Sequence, residues 1–358
     1  MIYLLTVFLE VQIVRKILRD KTNVIYAESL NRLLQSGDLN SILKKPSLLI
    51  ISTAEDYERW YNRITKHCLS ADSFQWFICT NDYIIENVTT MNRIFDFIEE
   101  VSLPKKTGIL GIGNAAIADL CGNVTVMNQF TEELYFIATE FSGFIRVLQG
   151  NFRLINDRLV SIVQTKYDAE LLIYAAETEH KDQAVLSFFY LIQHAIVNNR
   201  QLLKTIYQVS YYDRTRFTSY CDRLLIDYEK TPIKSLVFGN VFTTGICKAE
   251  GSHYLNFMQK KWLGLLLQFF WCNEQLGVKM KDKELIRWFQ WLSQESLVIP
   301  ENVLSTDLCQ SICKESRRYT DISQLLVETT EGKQIRHPTE DGLLRVVEKL
   351  RYQIKIEG

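Results

Sequence analysis

The sequence predicts an α/β protein: a mostly parallel, Rossmann-like sheet with flanking helices, followed by a helix-rich C-terminal region. Three observations carry this. Short apolar runs such as Ser47–Thr53 and Phe74–Cys79 alternate with segments of helical spacing, the pattern of strands joined by crossover helices. A glycine turn follows the apolar run Gly108–Leu110. From residue 251 onward the helical spacing continues with few strand signals.

Along the chain, Ile2–Leu9 reads as a strand, and Val11–Leu18 and Ser29–Leu34 have helical spacing. Pro46 introduces the buried strand Ser47–Thr53, and Thr53 is placed to cap a helix over Ala54–His67. Phe74–Cys79 is a strand and Ile84–Val101 an amphipathic helix stopped by Pro104. Val124–Met127 and Leu171–Glu177 read as further strands, and Lys181–Asn198 as a helix. Val209–Tyr212 and Ser235–Phe242 are read as strands, with a turn at Thr243–Gly245. Helices are expected over Asn256–Gln275, Lys283–Gln294 and Glu340–Tyr352. The expected domains are an α/β unit over 1–104, a Rossmann-like unit over 105–250 and a helical region over 251–358.

Bulk properties exclude some classes. The 358 residues are 47% hydrophobic and 23% charged with a net charge of -1, so no electrostatic argument points to nucleic acid or an anionic membrane. The eight cysteines are dispersed, as in a reducing cytoplasm rather than a disulfide scaffold. The N-terminal residues lack the features of a signal peptide, and no apolar run is long enough to span a bilayer.

Gly111-x-Gly113-x-x-Ala116 matches the relaxed dinucleotide fingerprint: a tight turn, close phosphate approach to backbone, and close helix–strand packing. Gly111, Gly113, Asn114 and Ala116 are therefore candidate cofactor-binding residues, with Asn128 after the next expected strand in the ribose position. ATP or NAD(P) would be the ligand. The other reading is a strand–turn–helix packed tightly without one. Glu177, Glu179 and His180 form a thinner cluster at the end of a later strand.

Cys309-x3-Cys313 would place two thiols on one helical face, and Cys247 and His253 lie upstream. Two separated pairs of soft or imidazole ligands are what structural zinc takes. The competing reading is four packed residues, since cysteines at i and i+4 also line a helix core.

The order of these segments resembles the adenylating fold of the ubiquitin-activating enzyme superfamily. It runs from Ile109–Ala116 through Val124–Met127 and Leu171–Glu177 to Val237–Thr244, Cys247 and the Cys309/Cys313 pair. More narrowly it is similar to the degenerate members that serve as docking subunits of azole-forming peptide cyclodehydratases. Asn128 stands where that family has a ribose-binding aspartate, and Glu250 where it has a second zinc cysteine. The resemblance implies a scaffold that has lost ATP chemistry and binds a peptide or partner enzyme. Two functions are carried forward. One is a non-catalytic or weakly catalytic recognition subunit with a protein or peptide partner, in which the apolar 257–271 helix serves as an interface. The alternative is a nucleotide- or nucleotide-sugar-binding enzyme, a reductase or glycosyltransferase, using the Gly111–Gly113 turn.

Overall fold

A computed structural model of the chain describes residues 15–19, 21–27, 33, 37–66, 74–80, 85–129, 131–155, 161–175, 184–208, 224, 238–275, 282–293, 295–318, 326–329 and 332–355. The expected strands at Ile2–Leu9 and Val209–Tyr212 lie outside these residues, as does the Glu177, Glu179 and His180 cluster. The chain divides into two units, Met1–Gln183 and Ala184–Gly358.

In the first unit the elements are β1 (Arg15–Arg19), β2 (Thr22–Ala27), α1 (Asn40–Leu43), β3 (Leu48–Thr53), α2 (Ala54–Thr65), β4 (Phe74–Cys79) and α3 (Val88–Glu100). Then come β5 (Thr107–Gly113), α4 (Ala115–Met127), β6 (Thr131–Ala138), α5 (Phe141–Gln149), β7 (Asn151–Ile155), β8 (Ser161–Lys166) and β9 (Leu171–Ala175). Seven strands form one sheet in the order β1-β2-β9-β6-β5-β3-β4. β1 runs antiparallel to β2, and the other pairs are parallel. The α/β class with its mostly parallel sheet is therefore observed. The expected boundary after residue 104 is not, because β3 pairs directly with β5 across it.

Both faces of the central strands are covered. Leu49, Ile50, Ile51, Ile109 and Leu110 are fully buried, which explains their unbroken apolar run. On one face Ile50, Leu110, Ile112 and Ile137 pack with Leu39, Ile42, Trp60 and Ile64. On the other, Phe141 and Phe144 of α5 pack against Tyr174 of β9.

α4 corrects the sequence reading most. Val124–Met127 is its last turn, not a strand, although valine and threonine there favour strands. Tertiary packing overrides that preference. Ile117–Thr125 is buried without a break, and a Cβ on Gly122 would lie 2.1 Å from the Phe152 ring of β7. Buried polar groups also tie the helix to the β7–β8 hairpin. Asp119 accepts from the Arg153 backbone N–H at 2.9 Å, and Asn123 accepts from the Thr165 hydroxyl at 3.0 Å. The strand that follows is β6, whose Leu134–Ala138 run was the plain signal.

The second unit is mainly helical: α6 (Ala184–Asn198), α7 (Arg200–Gln208), α8 (Asn240–Lys248), α9 (Phe257–Gln275), α10 (Asp282–Ser293), α11 (Ser305–Ser316) and α12 (Glu340–Lys355). A small hairpin, β10 (Leu326–Thr329) with β11 (Gly332–Ile335), accompanies them. The strand expected over Ser235–Phe242 is replaced, within the described residues, by a turn at Phe238–Gly239 and the start of α8. Thr243–Gly245 is helix, not turn. The reason is packing: a Cβ on Gly245 would sit 2.6 Å from the Ile312 Cα of α11, so α8 must present its backbone there. Phe242, Trp262, Trp271 and Phe289 fill this core.

Gly122→Ala forces a methyl into the Phe152 ring and is expected to destabilise the protein by about 1–3 kcal/mol, read from urea unfolding midpoints at unchanged m-value.

Candidate functional site

β3 connects outward through α2 to β4, whereas β5 connects the other way through α4 to β6. The carboxyl ends of β3 and β5 therefore flank a topological switch point, where open α/β sheets leave a crevice for ligands. Three segments meet there: Thr53–Asp56, Gly113–Asn114 and Thr139–Gly143.

The Gly113 turn is built by backbone. Gly113 has φ +155°, a conformation that L side chains rarely adopt, and a Cβ on it would lie 2.8 Å from Ile117 and 3.2 Å from the Asp56 carboxylate. Its carbonyl accepts from the Thr139 N–H at 3.1 Å. Gly143 of α5 comes so close that its own Cβ would be 2.7 Å from the Gly113 oxygen. Asn114 is the N-cap of α4, and its side chain accepts from the Ala116 and Ile117 amides at 3.0 and 3.3 Å.

The electrostatics are set by two carboxylates. Thr53 caps α2 by accepting from the Asp56 N–H at 3.1 Å and donates its hydroxyl to the Asp56 carboxylate at 3.0 Å, a reciprocal capping arrangement. Burial raises Asp56 to about 6, against hydrogen bonds from Thr53 and Thr139 that pull it down. Glu140 accepts from the Ser142 hydroxyl at 2.9 Å and is hydrogen-bonded to the Asn114 side chain. Burial raises its pKa, and the nearby Asp56 charge adds to the rise.

Of the predicted cofactor residues, Gly113, Asn114 and Ala116 are brought together at this turn. Gly111 is not. It lies inside β5, where a Cβ would meet Phe136 and the Cys121 sulfur at 2.5 and 2.8 Å, so its role is packing. Asn128 ends α4, whose 13 residues span about 20 Å, and so stands at the far end of that helix from the turn. An acid does stand near the turn, but it is Glu140, two residues after β6. Glu140 escaped the sequence reading because β6 was misplaced, and Asp56 because it was read only as part of the Ala54–His67 helix. The Thr53-x-x-Asp56 spacing at a strand end was the available signal for the first of them.

The predicted metal residues do not assemble. Among the described residues no three His, Cys, Asp or Glu side chains form a group that could hold a metal ion. Cys309 and Cys313 are buried on α11, and the Cys313 thiol donates to the Pro338 carbonyl at 3.3 Å. Burial pushes these thiols up to about 12 and about 11. Cys247 ends α8, and the His253 ring rests against Tyr254 at 4.2 Å between centroids. No helix among the described residues is long and apolar enough to cross a membrane.

No protein-family model matches the chain. A curated relative, 3-dehydroquinate synthase from Streptococcus gordonii, is 32% identical over 94 residues. That segment is 25% of this chain and 26% of the relative, so the match spans about a quarter of either protein. Among solved structures, 2-epi-5-epi-valiolone synthase from Streptomyces hygroscopicus subsp. jinggangensis 5008, with NAD+ and Zn2+ bound, superposes with a TM-score of 0.72. The likeness covers 95% of this chain and 99% of that one at 10% identity. A 2-deoxy-scyllo-inosose synthase complexed with carbaglucose-6-phosphate, NAD+ and Co2+ gives 0.70, covering 94% and 99% at 10% identity. At such identity the likeness is one of fold alone: the chain shares the fold of these synthases, which a probable glycerol dehydrogenase from Sinorhizobium meliloti 1021 also shares at a TM-score of 0.58. This overturns the resemblance to ubiquitin-activating enzymes. The resemblance depended on strands at Val124–Met127 and Val237–Thr244, and the described residues there fold largely as helix.

Because burial raises folded Asp56 above its ordinary 3.8, its ionised form costs stability above pH 6, and the cost fades as pH falls toward 3.8. Asp56→Asn is therefore expected to stabilise the protein by about 1–3 kcal/mol at pH 7.5, with the gain shrinking between pH 6 and 4 in chemical denaturation series.

Proposed function

We propose that this chain is an enzyme of the dehydroquinate-synthase-like class that binds a nicotinamide dinucleotide at the switch-point crevice. The observation that carries the reading is the conjunction at Gly113: a glycine turn opening α4, with a carboxylate, Glu140, directly after the next parallel strand. A strand–turn–helix–strand unit of this order presents backbone to a pyrophosphate and an acid to a ribose diol. Solved proteins of the same fold carry NAD+, which supports the same choice of ligand.

The residues present fit such a group. Gly113 lets the backbone turn tightly between Ile117 and the Asp56 carboxylate at the crevice. Asn114 already satisfies the Ala116 and Ile117 amides, and Asp56 and Glu140 add negative character. The part of the crevice facing those carboxylates therefore suits hydroxyl groups rather than phosphate. Glu140, held by Ser142 and Asn114, is the acceptor for a ribose hydroxyl. Asp56 sits behind it and fixes the end of α2. When bound, the dinucleotide would supply hydride acceptance and return. The chain's own contribution is to bind and orient it.

This reading takes the enzyme alternative over the recognition subunit. No observation favours peptide binding, whereas the fold, the turn and the acid agree on a nucleotide. The test is titration with NADH, followed by its fluorescence. Saturable binding is expected, weakened roughly tenfold in Glu140→Gln by loss of a charged acceptor. An unaltered affinity in Glu140→Gln, or no binding to the wild-type protein, would sink the proposal.

A further inference from the structure

We infer that the helical unit carries a second binding site, for a small hydroxylated anion, at the N-terminal end of α8 beside Gln193 and Lys261. The site lies wholly within the second unit and stands apart from the dinucleotide reading above.

The start of α8 is built without a side-chain cap. An N-cap position ordinarily holds Ser, Thr, Asp or Asn, whose side chain accepts from the first helical amides. Here it is Gly239, with φ +89° and a Cβ that would lie 2.9 Å from the Leu265 Cα of α9. Conformation and packing both exclude a larger residue. No side chain therefore caps the helix. The amides of Asn240, Val241 and Phe242 have no intrahelical acceptor, since the first such bond runs from the Thr243 N–H to the Gly239 carbonyl at 2.9 Å. Amides so placed, with the helix dipole behind them, attract an anion.

An independent observation at the same place points to a ligand. Gln193 of α6 is 0% exposed. Its amide N–H donates to the carbonyl of Phe238, the residue directly before the N-cap, which fixes the orientation of the amide. Its Oε1 is buried and has no hydrogen-bond partner among the described residues. The neighbouring Gln268 shows the contrast: its Oε1 accepts from the Gly239 N–H at 2.6 Å. Native proteins seldom leave a buried acceptor unsatisfied. An acceptor at this position takes a hydroxyl.

A cation completes the set. Lys261 stands one turn, about 6 Å of rise, before Leu265 on α9. It donates to the hydroxyl of Tyr190, which is one turn before Gln193 on α6. The ammonium lies 5.1, 4.9 and 5.5 Å from the Phe189, Tyr190 and Phe257 ring centroids, so its place is held by packing. Phe189 in turn sits edge-on to Trp262 at 5.2 Å, which holds α6 against α9. The contacts close a circuit: Gln193 to Phe238, Gly239 to Leu265, Lys261 to Tyr190. Around it stand the positive end of a helix, a buried acceptor and an ammonium. These fit a ligand with one oxyanion and at least one hydroxyl, a hydroxy acid or a sugar phosphate. A water molecule would satisfy Gln193 but bring no countercharge to the helix end and Lys261.

The test is calorimetric titration of the full chain with inorganic phosphate, gluconate and glucose 6-phosphate at low ionic strength. Saturable binding of at least one hydroxylated anion is expected, tighter than that of inorganic phosphate and weakened by added salt. The tighter of the two assigns the oxyanion as carboxylate or phosphate. Lys261→Met keeps an apolar chain among the rings, and Asn240→Asp sets a negative charge at the helix end, which a helix N-terminus tolerates. Each is expected to weaken binding about tenfold, with the fold intact by circular dichroism. No saturable binding of either hydroxylated anion, inorganic phosphate binding as tightly as both, or an affinity unchanged in both variants would each overturn the inference.

Discussion

The backbone contact at Gly113 is the constraint on which the first unit depends. One carbonyl there accepts from the chain leaving β6, and it lies against α5 at a distance only a glycine at 143 permits. A side chain at either glycine would separate β5 from α5 or turn the mouth of α4. Because β5 is central to the sheet, displacement would propagate to β3 and β6, which pair with it on either side. The same contact that closes the fold lies at the switch point. Structure and candidate site are therefore one device.

The second feature is electrostatic. A turn at a helix N-terminus ordinarily invites an anion. Here the invitation is partly withdrawn, because Asn114 takes up two amides and Asp56 and Glu140 stand nearby. Burial raises both acids, Asp56 to about 6, so Asp56 takes up its proton at a higher pH than an exposed carboxylate would. Such groups are suited to hydroxyl partners.

Much of the fold was legible in local sequence. Leu48–Ile51 and Leu171–Ala175 are strand residues buried and apolar throughout, Phe74–Cys79 is a half-buried edge strand, and Val88–Glu100 shows its single apolar face. The candidate site was half legible. Gly113, Asn114 and Ala116 are where the fingerprint puts them. Asn128 and Gly111 are not, and Glu140 was missed, because one wrong element shifted the whole βαβ unit. Residues 124–127 carry β-branched side chains, and nothing local reveals that Phe152 and Thr165, far along the chain, complete a helix there. The cysteine spacing was read correctly as one face of a helix, but spacing cannot tell whether that face meets a metal or a core.

The sequence by itself determined the class of the protein: strand and helix alternation, the buried central strands, the glycine turn after β5, and a helical second half. These are set by burial and backbone freedom over a few neighbouring residues. The tertiary structure alone decided where the domains divide, that α4 is one continuous helix, which acid stands beside the turn, and that the four candidate ligands form no group of three that could hold a metal ion. Each of these depends on contacts between segments tens of residues distant, whose energies outweigh local propensity and leave no mark in local pattern.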